Sequence, residues 1–157
     1  MDEKALLIQK LDDARAAMQA LIDEIDHEME LYPGWTIKHV LAHIAGWDDM
    51  MVELLEAHTK GEEHTTMMFR SIDEYNANSV ETRQGLNYRQ VHAEWQQVRD
   101  KVKALIQALP AEKLAGQLLF PWGQRGTVAD AVAIFAPHEI EHVQELRVIW
   151  EQKNKKE

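Results

Sequence analysis

His138-Glu139-Ile140-Glu141-His142 lies near the C-terminal end of an apolar segment with helical periodicity. Residues four apart on a helix stand one above the other on the same face. His138 and His142 therefore present two imidazoles to one place, as two teeth of a metal claw. The string also matches H-E-x-x-H, the helix motif of zinc proteases. The chemistry turns on where a third ligand comes from. A protease takes it from beyond the motif, where Glu145 lies one turn past His142 and the sequence runs only fifteen residues further. That architecture also needs a sheet and a substrate cleft.

An upstream source is better placed. At 100° per residue, Val40, Ile44, Trp47, Met51 and Leu54 define an apolar arc. His43 falls inside it, between Met50 and Trp47, and His39 falls at its edge. In the last segment His138 and His142 lie on the side shared with Ile149. Glu139 points inward near Phe135 and Leu146, while Glu141 points outward. A buried imidazole without a partner costs about 1–3 kcal/mol. One shared ion would satisfy His43, His138 and His142 together; otherwise each is a singly satisfied core or rim histidine. His39 with His43 forms a second i, i+4 pair, which leaves open a four-histidine cage or a rim position for His39. His27, His58, His64 and His92 are expected at the surface.

Three neutral imidazoles leave at least one coordination position open, the pattern of a catalytic rather than a closed structural site. A bound water there has its pKa lowered towards neutrality and serves as a nucleophile. Alternatively, a substrate thiol binds as thiolate. Glu139 is the candidate catalytic base or the group that orients a ligand, or else it simply hydrogen-bonds a neighbouring histidine. Trp47 and Trp122 are candidate pocket walls, with plain packing as the alternative. Asn76, Tyr75 and Arg125 are placed to reach the same mouth. Arg125 precedes a helix N-terminus, where an anionic group is favoured. The chain has no cysteine, so every transition-metal ligand must be His, Asp or Glu. Three imidazoles suit zinc, nickel, copper or iron.

These residues need helices to carry them. Leu7, Leu11, Ala14, Met18, Leu21, Ile25 and Met29 repeat at steps of three and four, predicting a helix from Lys4 to Met29 that Leu31-Tyr32-Pro33-Gly34 breaks. Thr36 caps a second helix running to about His58, which Gly61 ends. The polar stretch 62–85 holds a short helix opened by the capping box Ser71-Ile72-Asp73-Glu74. A third long helix starts at Asn87, with Gln90 completing the cap and Val91, Trp95, Val98, Val102, Leu105 and Ile106 as its stripe. It stops at Leu109-Pro110. Residues 118–126 are irregular. A last helix starts after Thr127, with Asp130 three residues on, and Pro137 inside it removes one backbone donor and should kink it. The pattern is an all-α four-helix bundle in a single domain over residues 1–157, with a long connection between its second and third long helices.

Composition excludes several functions. The formal charge of −10 lacks the basic footprint that nucleic acid requires. The only basic cluster, Lys153 to Lys156, reads as a frayed helix end. No run of 18 apolar residues predicts a membrane span. The first residues, Met-Asp-Glu-Lys, lack the pattern of a secretory signal. A cytoplasmic protein acting on a small molecule is expected.

Trp35 and the stretch Thr36-Ile37-Lys38-His39-Val40-Leu41-Ala42-His43-Ile44-Ala45-Gly46-Trp47 resemble the second-helix motif of the DinB/YfiT-like superfamily, closest to its DfsB/ClbS-like branch. Thr127 through His142 resembles that superfamily's last helix, and Ile72-Asp73-Glu74-Tyr75-Asn76 fits the same branch. The resemblance covers nearly the whole chain. It implies a four-helix bundle, often dimeric, holding a divalent metal, commonly zinc or nickel, on three histidines that correspond to His43, His138 and His142. Members with known activity include thiol-dependent transferases and isomerases and a hydrolase that protects against a DNA-damaging metabolite. The expectation is a metal-dependent hydrolase or thiol-dependent transferase acting on a small electrophilic or xenobiotic compound. The alternatives are a metal- or ligand-binding protein without turnover and a structural dimeric module.

Overall fold

The computed structural model describes residues 2–63 and 71–155, so that His64 and Lys156 lie outside the described residues. The elements in chain order are α1 (Glu3–Glu24), α2 (Ile37–Thr59), α3 (Ile72–Glu81), α4 (Tyr88–Ala108), α5 (Ala111–Ala115), β1 (Leu118–Leu119), β2 (Arg125–Gly126) and α6 (Val128–Lys155). Local sequence sets most helix starts. Ser71 Oγ accepts the Glu74 N–H at 3.1 Å. Asn87 and Gln90 cap one another reciprocally, each side chain meeting the other's backbone N–H at 2.9 Å. Thr127 and Asp130 do the same at the start of α6, at 2.9 and 3.2 Å. These bonds satisfy amides that the first helical turn leaves without partners.

Three details depart from the sequence expectation. α1 ends at Glu24 rather than Met29, and Ile25 leaves it in an extended conformation. Asp26 Oδ1 accepts the Glu28 N–H at 2.9 Å, and this local turn competes with the next helical turn. Residues 118–126 contain a short antiparallel hairpin, with Leu118 opposite Gly126 and Leu119 opposite Arg125. His58 is buried, not at the surface, and its Nε2 lies 2.6 Å from the carbonyl oxygen of Lys113 in α5. Pro137 leaves α6 continuous. Its missing hydrogen bond falls on an exposed side, since both Ala133 and Pro137 are exposed, and solvent can take the freed carbonyl.

The four long helices form the all-α bundle. α2 packs on α4, α4 meets α1, α1 packs on α6, and α3 lies along α2. The α6–α2 seam is bridged by aromatic rings. Trp47 meets Phe135 edge-on at 5.5 Å and the His138 ring at 5.2 Å.

The core divides into two apolar clusters. One includes Leu7, Leu11, Ala14, Met51, Leu55, Val102, Ile106, Val132 and Phe135. The other includes Met18, Leu21, Val40, Leu41, Ile44, Val91, Trp95, Val143 and Leu146. On each long helix, a charged residue stands between its members of the two clusters: Arg15, Asp48, Arg99 and Glu139. No helix among the described residues is long and apolar enough to cross a membrane.

Candidate metal centre

His43 arrives from α2, and His138 and His142 arrive one turn apart from α6. Each offers a ring nitrogen, and these three atoms all lie within 4.8 Å of one another. The ring centroids are 5.3 Å apart for His43 and His138, 5.2 Å for His43 and His142, and 4.7 Å for His138 and His142. His138 Nε2 and His142 Nε2 are 3.2 Å apart. Two nitrogens bound to one tetrahedral zinc stand about 3.3 Å apart, from metal–nitrogen bonds of about 2.0–2.1 Å. His43 Nδ1 is buried without a hydrogen-bond partner, a state that disfavours burial unless something meets the polar atom. Burial, then the neighbouring His142 and His138, pushes the His43 pKa down to about 3. Burial is also the leading cause of lowered pKa values at His138 and His142. Three neutral imidazoles, each with a ring nitrogen within 4.8 Å of the others, are the donor set that a divalent transition metal requires. The residues present fit such an ion.

The segment before α2 supplies part of the surround. Tyr32-Pro33-Gly34-Trp35 is a tight turn in which the Trp35 N–H donates to the Tyr32 carbonyl at 2.8 Å and Gly34 has φ +79°. Proline second and a positive-φ glycine third is the type II pattern. The turn sets the Tyr32 and Trp35 rings 6.1 Å apart. Trp35 lies 5.7 Å from the His43 ring, and Tyr32 lies 5.9 Å from the His142 ring. The Tyr32 hydroxyl is 2.9 Å from His142 Nδ1 and donates to Glu145 Oε1 at 2.8 Å. Burial and then the bond to Glu145 push the Tyr32 phenol well above its ordinary pKa, so it keeps its proton. His39 stands outside the cluster. Its Nδ1 accepts the Thr36 N–H at 2.9 Å and so caps α2.

Trp47, Trp122 and Asn76 come together beside His138. Trp47 Nε1 donates to Asn76 Oδ1 at 2.7 Å. The Trp47 and Trp122 rings are 6.3 Å apart, and Trp122 stacks on Phe120 at 5.1 Å. α3 can carry Asn76 this close because Gly46 faces Ser79. A Cβ on Gly46 would stand 2.2 Å from Ser79 Oγ. The Tyr75 hydroxyl donates to the Gly46 carbonyl. Arg125 is paired with Glu63 at 2.6 Å.

Glu139 is fully buried, and its carboxylate turns to the bundle interior. Arg15 Nε lies 3.2 Å from Oε2, Arg99 Nη2 lies 3.2 Å from Oε1, and Trp95 Nε1 donates to Oε2 at 3.1 Å. The same two arginines bind Asp48, at 2.8 Å from Arg15 and 3.1 Å from Arg99. The Arg15 guanidinium also lies over the Trp95 ring, 4.0 Å from its centroid, a cation–π contact. A ring of two arginines and two carboxylates, with one residue from each long helix, thus lies next to the histidine cluster.

A protein-family model matches residues 10–146, a span that includes all three histidines, and that family is the DinB superfamily. The chain belongs to the DinB superfamily. Solved structures show the same fold at low identity. YfiT from Bacillus subtilis, described as a probable metal-dependent hydrolase with an unusual four-helix bundle topology, is 16% identical, with a TM-score of 0.74 over 98% of this chain and 90% of its own. An uncharacterised protein from Escherichia coli UTI89 is 17% identical, with a TM-score of 0.77 over 97% of this chain and 94% of its own. A mycothiol-dependent maleylpyruvate isomerase is 16% identical, with a TM-score of 0.76 over 92% of this chain. This chain spans 61% of that isomerase's length. No curated protein matches the sequence.

Sequence reasoning missed Tyr32, Trp35 and the Arg15–Asp48–Arg99 part of the ionic ring. Tyr32 sits in what reads only as a helix break, and Trp35 enters only as the residue preceding the second-helix motif. The type II turn signature of Pro33-Gly34 was the available signal, since it brings its two flanking residues together. The arginines and Asp48 carried a weaker signal: each interrupts the apolar stripe of its helix at one level.

Proposed function

We propose that this DinB-superfamily protein is a divalent-metal-dependent enzyme, a hydrolase or a thiol-dependent transferase acting on a small electrophilic or xenobiotic compound. The observation that carries this reading is the convergence of His43, His138 and His142 from two helices, with one nitrogen of each within 4.8 Å of the others. The similarity in fold to YfiT, a probable metal-dependent hydrolase, and to the mycothiol-dependent isomerase supports the two reaction classes. We read the ion as zinc or nickel, both of which imidazole suits.

Held by three neutral histidines, such an ion supplies a Lewis acid with an open position at which a water or thiol loses its proton near neutral pH. The chain's own residues do the rest. Trp35 stands on the His43 side and Trp47 with Trp122 on the His138 side, so aromatic rings flank the histidine cluster and would favour flat or apolar groups. Asn76 fixes the Trp47 ring. An indole N–H only donates, so Asn76 Oδ1 is committed to Trp47, leaving the Asn76 amide NH2 to donate elsewhere. Glu139, with both oxygens taken by arginines and Trp95, serves in this reading as an anchor for α6 rather than as the base.

The test is metal analysis of the purified protein. About one zinc or nickel per chain is expected, and none in His43→Ala. A wild-type protein that neither carries nor takes up a divalent ion would overturn the reading. Given bound metal, turnover in screens of ester hydrolysis and thiol conjugation separates an enzyme from a metal-binding protein. A homodimer belongs to the same reading and is checked by analytical ultracentrifugation.

A further inference from the structure

A tyrosine hydroxyl has one proton to give. In Tyr32 that proton goes to Glu145 Oε1 at 2.8 Å. The contact between the Tyr32 oxygen and His142 Nδ1, at 2.9 Å, then has only one arrangement. The phenolic oxygen accepts, and His142 Nδ1 carries the hydrogen. Glu145 cannot take this bond directly, because its Oε1 is 3.6 Å from Nδ1, beyond hydrogen-bond range. A neutral imidazole protonated at Nδ1 keeps its lone pair on Nε2. That is the atom of His142 facing His138 Nε2 at 3.2 Å.

We infer that Tyr32, backed by Glu145, is a positioning residue that fixes which nitrogen His142 offers to the metal. The inference rests on the metal-centre reading above and adds to it a residue from outside both ligand-bearing helices. Metal-bound histidines generally donate their second ring N–H to an acceptor that fixes the tautomer and ring direction, and losing that acceptor weakens metal affinity by about 10–100-fold. Tyr32 reaches its place because Pro33 and Gly34 fold the chain back onto α2. Glu145 reaches it because it lies one turn past His142 on α6. The relay therefore spans the seam between the turn and α6 and also holds the ring at its angle.

The first experiment needs no metal. Long-range proton–nitrogen NMR correlations on the metal-free protein report which nitrogen of His142 carries the hydrogen. Wild type is expected to show Nδ1–H. In Tyr32→Phe the hydrogen is expected to redistribute to Nε2, and in Glu145→Ala to do so in part. Zinc competition with a chromogenic chelator is the second readout. Affinity is expected to fall about 10–100-fold in Tyr32→Phe, and to fall less in Glu145→Ala. Glu145 is exposed, so the second variant keeps its fold if Tyr32→Phe does not. A wild-type His142 protonated at Nε2, or zinc affinity within about twofold of wild type in both variants, would overturn the inference. Wild type that binds no zinc but shows Nδ1–H overturns the metal-centre reading, and with it any role for Tyr32 in metal affinity, while leaving the tautomer assignment intact.

Discussion

Asp48 and Glu139 are held by the same two guanidinium groups. Asp48 comes from α2 and Glu139 from α6, and each receives both Arg15 of α1 and Arg99 of α4. Glu139 follows His138 directly in sequence, and Asp48 lies five residues after His43. The ionic ring therefore ties together the two helices that bring the histidines, at the level where they must meet. Buried ion pairs contribute little net stability over an apolar alternative, but breaking one leaves a buried charge alone.

Removing one member should accordingly cost stability. Arg99→Leu is expected to destabilise the protein by about 3–5 kcal/mol, read by urea unfolding. Glu139→Gln should also destabilise while retaining zinc binding. A Glu139→Gln protein of wild-type stability whose turnover alone collapses would restore Glu139 as a catalytic base.

Metal should stabilise the fold by mass action. Free zinc at about a hundred times its dissociation constant adds about 2.7 kcal/mol, visible as a rise in Tm over the metal-free protein. His43→Ala is expected to lose this increment. An equal rise in that variant would mean that zinc binds elsewhere.

The Gly46–Ser79 contact should tolerate no added methyl group. A Cβ at Gly46 would meet Ser79 Cβ at 2.4 Å. Gly46→Ala is expected to push α3 off α2, cost about 1–3 kcal/mol, and separate Asn76 from Trp47. Thermal unfolding and tryptophan emission report the two effects. Adding Ser79→Gly should recover most of the loss, and a double variant no better than Gly46→Ala would argue against this contact as the cause.

The turn before α2 gives a fourth expectation. Gly34 has φ +79°, which an L side chain adopts only with strain. Gly34→Ala is expected to cost about 1 kcal/mol or more and to weaken zinc binding by shifting Tyr32. Chelator competition would show an unchanged affinity if the turn and the metal centre are independent.

Local signals determined the helices and their starts. Thr36, Ser71, Asn87 and Thr127 cap where their short polar side chains can reach a free amide, and the apolar periodicity fixed which faces turn inward. The same periodicity put His43, His138 and His142 on inward faces, because angle on a helix is a property of spacing alone. The end of α1 was legible only in part, since Asp26 forms its own turn against a stripe that continues to Met29. Helical angle gave no distance between one helix and another. Packing decided that the α2–α6 seam brings three ring nitrogens together and that Glu139, though inward, turns to Arg15 and Arg99 instead of the histidines. It also decided that Tyr32 meets His142 across 110 positions of sequence. Contacts of that kind depend on how whole helices sit against one another, which no short stretch of the chain encodes.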